Sequence, residues 1–357
     1  MKHPYTRHNT RYNAAGLRSR TGRFTLIALL TALPALLFAW SAGWLSSRLS
    51  PQQFVEQLEQ NGGRHPGFRR NHAKGLCVSG YFEPSADARR LSTAGVFADG
   101  RHAVNGRLSI PGGNPYGADD KAPLRSLGLQ IDGGRAHEWR MALNSSAVFV
   151  VARPEDFYAL LQAQQPDPVS GRRDKEKLHA FFNRHPETAA FRQWQSQHTP
   201  SDSFANTRYN SLNSFVFTDN AGTEHYLRWS LIPQQTYQPQ AADSGADFLA
   251  ADFRRRVAQQ PQRWTLQLQL AADGDPVNDA TRAWPAERPT INAGTLVINA
   301  AGPQQQGACR DINFDPLILP AGIRPSGDPL LAARSAVYSD SFTRRITEQA
   351  TQEYSHD

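Results

Sequence analysis

The stretch RWTLQLQLA, residues 263–271, alternates apolar and polar side chains and sets Trp264, Leu266, Leu268 and Leu270 on one face. A period of two marks a strand half-buried in a sheet, one face on a core and the other in water. The neighbourhood repeats the theme. SFVFTDNAGTEHYLRWSLI (214–232) reads as two strands joined by a hairpin turn at Asp-Asn-Ala-Gly, and ADFLAADFRRRVAQQ (246–260) is an amphipathic helix. Further strands are expected at GLCVSGYF (75–82), GRLSI (106–110), SLGLQI (126–131), HEWRMAL (137–143), SAVFVVA (146–152) and TLVINA (295–300). Helices gather at 155–198 and from about Asp328 onward. About eight strands without a βαβ rhythm predict an α+β fold, an antiparallel barrel or sandwich with packed helices.

The net charge of +7 invites a nucleic-acid reading. Lys2, Arg7, Arg11, Arg18, Arg20 and Arg23 stand in residues 1–23 with no acidic residue, so the rest of the chain carries only +1. The basicity belongs to a tail, and no nucleic-acid partner is expected. Next comes FTLIALLTALPALLFAWSAGWL (24–45), an uncharged run with Pro34 inside and Trp40 and Trp44 towards its far end. Its length suits a membrane-spanning anchor, and the positive-inside rule puts the basic tail in the cytoplasm and the rest outside. A long signal peptide cut near Ser41 or Gly43 is the alternative. Cys77 and Cys309 are too few for a disulfide framework, and sequence alone leaves their pairing open.

Chemistry concentrates near the C-terminus. In DPLLAARSAVYSDSFTRRITEQ (328–349), the spacing of Arg334, Tyr338 and Arg345 sets them within about 40° of one another on a helix. A tyrosine there is either a core residue with snorkelling neighbours or an anionic ligand whose ionisation a guanidinium supports. Upstream, His72 stands at the mouth of a strand, with Ser109 and Asn144 as candidate polar partners. HEWRM (137–141) is not a zinc-binding HExxH, ADGDPVND (272–279) lacks the later Glu of a calcium loop, and Asn144-Ser145-Ser146 is a sequon of the kind chance supplies.

Taken together, four segments resemble the catalase family. RRNHAKGLCVSGYFE (69–83) is similar to the segment carrying the distal histidine, matched by His72, with Arg69 at a propionate-binding position. GRLS (106–109) matches Arg107 to a second propionate arginine and Ser109 to the serine hydrogen-bonded to that histidine. LNSSAVFVVARPEDF (143–157) matches Asn144 to the distal asparagine and Phe149 and Phe157 to pocket aromatics. INFDPLILPAGIRPSGDPLLAARSAVYSDSFTRR (312–345) matches Tyr338 to the iron ligand, Arg334 to its guanidinium partner and Arg345 to a third propionate arginine.

The resemblance implies an antiparallel eight-stranded β-barrel with flanking helices, holding haem b and its iron. It departs at Arg70 and Asn71, where the family usually has apolar residues, and at Leu143 and Ala147, which replace a glycine and a proline. It ends near residue 346, a short form that resembles catalase-related peroxidases. The implied activity is reduction of organic hydroperoxides or hydrogen peroxide with electrons from a small-molecule or protein donor. A hydroperoxide isomerase on the same scaffold, true catalase activity, or a tethered haem- or lipophile-binding barrel without catalysis are the alternatives. The expected organisation is a basic cytoplasmic tail (1–23), an anchor (24–45), a linker (46–67) that opens with a short helical segment at PQQFVEQLEQ (51–60), the peroxidase domain (68–346) outside the inner membrane, and a short tail (347–357).

Overall fold

The structure is a computed structural model that describes residues 14–41, 49–134, 137–242 and 244–354. It divides into two compact units, Met1–Ser50 and Pro51–Asp357. The first holds helix α1 (Ala14–Ser41), on which Phe24, Leu30, Phe38 and Trp40 are 62–70% exposed. Among the described residues no helix is long and apolar enough to cross a membrane. The spanning helix expected over 24–45 therefore gains no support. Its far end, from residue 42, lies outside the described residues, as do residues 1–13 of the basic tail.

The second unit is built on strands β1 (Gly75–Pro84), β2 (His102–Ser109), β3 (Ser126–Ile131), β4 (Trp139–Asn144), β5 (Tyr209–Asn210), β6 (Phe215–Thr218), β7 (Glu224–Pro233), β8 (Gln262–Leu270), β9 (Thr290–Pro303) and β10 (Ile323–Pro325). Every pairing is antiparallel. Following the hydrogen bonds through β1, β2, β3, β4, β5, β7, β8 and β9 returns to β1, so the sheet closes as an eight-stranded barrel. Strands β6 and β10 branch from one end of β7. Closure leaves the ring without a free edge. It is sharpened by a bulge at Ser79/Gly80, where a Cβ on Gly80 would stand 1.9 Å from the Val297 carbonyl oxygen.

The barrel is filled as the alternation in 263–271 requires. Trp264, Leu266 and Leu268 are buried on β8, and the interior adds an edge-to-face pair of Trp139 and Trp229 with centroids 4.9 Å apart. Around the barrel pack α2 (Pro51–Gly62), α3 (Pro154–Ala163), α4 (Lys175–Arg184), α5 (Ala189–Gln197), α6 (Phe248–Gln259) and α7 (Pro329–Tyr354).

Three expectations are corrected. Residues 146–152 form no strand. The side chain of Asn210 donates to the carbonyls of Asn144, Ser145 and Ser146, replacing a sheet ladder, and the apolar run is buried with α3 and α4 instead. The linker expected over 46–67 is narrower, because the helical segment read at 51–60 is α2, which runs to Gly62 and buries Phe54 and Val55. Nor is 347–354 a loose tail, because α7 continues to Tyr354. There Glu348 accepts two hydrogen bonds from Arg70, one of 2.9 Å, while Arg70 Nε donates to Glu59 on α2 at 2.6 Å. The pairing that the sequence left open is also resolved: Cys77 and Cys309 are joined by a disulfide, Cα atoms 5.3 Å apart.

Candidate active site

One cavity lies between the barrel wall and α7, lined also by α2 and α3, and about 1310 Å³ of atom-free space lies within it and its open mouth. It is lined by Arg69, His72, Arg107, Ser109, Asn144, Phe149, Phe157, Arg334, Tyr338 and Arg345, so the structure brings together every residue singled out above. They come from the turn before β1, from β2, β4, the irregular loop after β4, α3 and α7. The stripe on α7 lines the cavity; Leu330 and Leu331 are buried at the helix start and Arg345 is buried further along.

His72 holds the left-handed conformation, φ 56°, which is uncommon for a non-glycine residue and clusters at functional sites. Asn71 braces it: its Oδ1 accepts the His72 N–H at 2.9 Å and the Gly112 N–H at 2.8 Å. This is the role of one of the two residues beside His72 that depart from the catalase pattern; Arg70, the other, joins α2 to α7. The His72 ring lines the cavity wall, yet protein surrounds it. Burial first, then the charges of Arg107, Arg334 and Arg69, bring its pKa down to about 3. The ring is therefore neutral at physiological pH and able to accept a proton. Its buried Nδ1 has no hydrogen-bond partner, so the expected Ser109–His72 bond is not made; Ser109 stands buried in the same wall. Asn144 has a partner that sequence reading missed. Ser126, directly opposite it on β3, donates Oγ–H to Asn144 Oδ1 at 2.6 Å, which leaves the amide nitrogen as the donor.

Arg69, Arg107 and Arg345 crowd the other side. Burial lowers the pKa of each, to about 9 for Arg107 and about 10 for Arg345, and their mutual repulsion adds to the shifts of Arg69 and Arg107. Their hydrogen bonds go mainly to neutral oxygens. Arg69 donates to the carbonyls of Cys309 and Ile312 at 3.2 and 2.6 Å, Arg345 to the Arg310 carbonyl, and Arg107 to the Ala73 carbonyl and Gln304 Oε1. Among the described residues the acidic group paired with them is Asp311, half exposed and 3.9 Å from Arg345. Buried Nε atoms of Arg107 and Arg345 have no partner. Buried charge at this density calls for an anion. A group carrying two carboxylates would suit the three guanidiniums, and Phe149 and Phe157 add apolar lining to the space that His72 and Tyr338 also line. Haem meets that description. Arg334 bonds Asn213 Oδ1 and the Ala142 carbonyl, and Asn213 is held in turn by Asp328 at 2.7 Å.

The catalase family model matches residues 46–353. A catalase-related peroxidase of Synechococcus elongatus is 35% identical over 92% of this chain and 98% of its own length. A second, from Mycolicibacterium paratuberculosis, is 27% identical over 84% of the chain and 96% of its own length. The catalase of Sus scrofa is 26% identical, and the match spans 55% of that protein. Among solved structures, a fungal catalase superposes with a TM-score of 0.71 at 21% identity, over 79% of this chain and 60% of that one. Saccharomyces cerevisiae catalase A gives 0.71 at 20% identity over 79% and 62%.

Proposed function

Because the chain belongs to the catalase family, and is with it a peroxide-acting oxidoreductase, we propose that it is a haem b peroxidase that reduces organic and hydrogen peroxides with an external donor. The observation that carries this reading is the trio of buried guanidiniums beside a cavity lined by both a neutral histidine and a tyrosine. Bound haem would supply the iron at which the peroxide O–O bond is cleaved.

This chain's residues would do the rest. Arg69, Arg107 and Arg345 receive the two carboxylates, and Tyr338 is the ligand to iron. Arg334, one turn before Tyr338 and held by Asn213, is its proposed guanidinium partner. His72 takes the proton from the incoming peroxide and returns it to the departing oxygen, which leaves as alcohol or water. Asn144, its oxygen held by Ser126, donates its amide N–H to the peroxide. Reduction of ROOH to ROH and water consumes two electrons and two protons, and the donor supplies the electrons. Phe54 and Leu58 of α2, with Phe149 and Phe157, give the rim an apolar surface suited to bulky hydroperoxides.

The N-terminal segment is proposed to hold this domain at the outer face of the inner membrane. The basic residues of 1–23 and the exposed apolar side chains of α1 support this. Retention in a carbonate-washed membrane pellet would agree, and release with soluble protein would overturn it.

The central test is spectroscopic and kinetic. Reconstituted protein should show a Soret band that Tyr338→Phe shifts or abolishes. It should turn over cumene hydroperoxide only with a donor, and faster than it releases oxygen from hydrogen peroxide. Turnover without donor would point to an isomerase, dominant oxygen release to a catalase, and an unaltered Tyr338→Phe spectrum would remove the ligand assignment.

A further inference from the structure

The segment from Gln304 to Ile312 leaves the end of β9 and reaches the cavity wall at Ile312 as a strap. Every guanidinium proposed to receive a carboxylate is bonded to it. The carbonyls of Cys309, Arg310 and Ile312 accept from Arg69, the Arg310 carbonyl also accepts from Arg345, and Gln304 Oε1 accepts from Arg107. Gln304 is itself tied by its Nε2 to the Ala73 carbonyl at 3.1 Å, next to His72. Apart from these bonds the strap has little regular structure, only turns closed by Gly307 N–H to Pro303 at 3.0 Å and Arg310 N–H to Gly307 at 2.9 Å.

What fastens it is covalent. Cys309 of the strap is bonded to Cys77 of β1, and Cys77 stands directly opposite Arg107 in the β1–β2 register. The strap lies hard against this bond: a Cβ on Gly307 would stand 2.6 Å from both Cβ and Sγ of Cys77. Cys77, Cys309, Phe314 and the partly buried Ile312 form a small apolar cluster of their own, and the Arg69 guanidinium lies 5.8 Å from the Phe314 ring.

We propose that the Cys77–Cys309 disulfide is the positioning clamp for all three arginines, so that this bond sets how tightly the cofactor's carboxylates are held. The inference rests on the haem reading above. The geometry makes the coupling direct, because the arginines are aimed by strap atoms and the strap is held to the barrel by one covalent bond. A disulfide acting only as a generic cross-link would stabilise the fold and leave cofactor retention alone.

The test is haem loss, read at the Soret band as haem passes from the reconstituted full-length protein to an excess of a haem-scavenging globin. Cys77→Ser/Cys309→Ser removes both thiols at once, and should release haem at least about tenfold faster than the native protein. Far-UV circular dichroism should stay native. Gln304→Ala, with the disulfide intact, loosens Arg107 alone and should give a smaller acceleration. Should the double variant fail to fold, the native holoprotein is treated with a water-soluble phosphine. The phosphine becomes its oxide with oxygen from water, the S–S bond breaks and two thiols form; the same acceleration is expected. Haem loss within twofold of native after either treatment would overturn the clamp while leaving the haem reading intact. A native protein that takes up no haem would overturn that reading first, and the clamp with it.

Discussion

Arg70 is a charge that the fold has taken almost wholly out of water, with only 3% of its side chain exposed. Four hydrogen bonds compensate it: one to Glu59, one to the Phe68 carbonyl and two to Glu348. Glu348→Ala removes two of the four, and removes the acceptor of the Gly67 N–H at 3.0 Å as well. Stripping a partner from a buried pair costs about 3–5 kcal/mol, and because Glu59 remains, the lower figure, about 3 kcal/mol, is expected. At about 2–4 °C per kcal/mol for a large domain, Tm should fall by about 6–12 °C at neutral pH. Burial alone would raise the Glu348 carboxyl's pKa, but hydrogen bonds from Arg70 and the Gly67 N–H outweigh it and the net shift is downward. Glu348 thus stabilises the fold above its unfolded pKa, near about 4.3, and the contribution fades as pH falls through the lower folded value. The two melting curves should converge on acidification. Differential scanning calorimetry of native protein and variant at pH 7 and in steps downward measures both effects. Tm values within about 2 °C at pH 7 would refute the idea that this charge joins α2 to α7.

Three further outcomes are expected. In haem-free protein the His72 ring stays neutral down to about pH 3, whereas the unfolded ring takes a proton below its usual value of about 6.5. The unfolded state binds the extra proton in that window, so stability is lost on acidification, and His72→Asn, which tolerates the left-handed backbone, should flatten the loss by up to about 3 kcal/mol between pH 6.5 and 4. Equal slopes in denaturant titrations would contradict the neutral ring. Asn71→Ala leaves two backbone N–H groups without their acceptor and should cost about 2 kcal/mol, while Asn71→Asp, which keeps an acceptor oxygen, should recover most of it; chemical denaturation compares them. Ser126→Ala frees the Asn144 amide and should lower peroxide turnover about tenfold with an unchanged Soret band. Unaltered turnover would mean that the serine does not position the amide.

What could be read without coordinates was local or carried by resemblance. The two-residue period of 263–271 became β8 with Trp264, Leu266 and Leu268 inside, and the stripe of Arg334, Tyr338 and Arg345 became one face of α7 on the cavity. His72, Ser109 and Asn144 stand out as polar candidates, resemblance supplied Arg69, Arg107, Phe149 and Phe157, and all line the same space. Legibility failed where a side chain or a distant segment overrode the local pattern. The apolar run 146–152 looks like a strand because it is buried, but the amide of Asn210 takes the carbonyls that a neighbouring strand would have taken. The pairing of Cys77 with Cys309 spans a separation of 232 positions, and Arg70 finds Glu348 across 278. Ser126 needs the β3–β4 register before its hydroxyl can be seen to meet Asn144. No window of sequence contains both members of such pairs.

Arg69 and Arg345 are aimed by main-chain oxygens at 309, 310 and 312, not by side chains. A carbonyl is the same whatever residue carries it, so a side-chain change at 310 or 312 leaves the accepting oxygen itself in the chain. The spacing is not free. One residue added or removed between the anchored cysteine at 309 and Phe314 would move each oxygen by about 3.3–3.6 Å along the chain, more than a hydrogen bond can absorb. Relatives with the same chemistry should therefore vary in the letters of this segment and agree in its length.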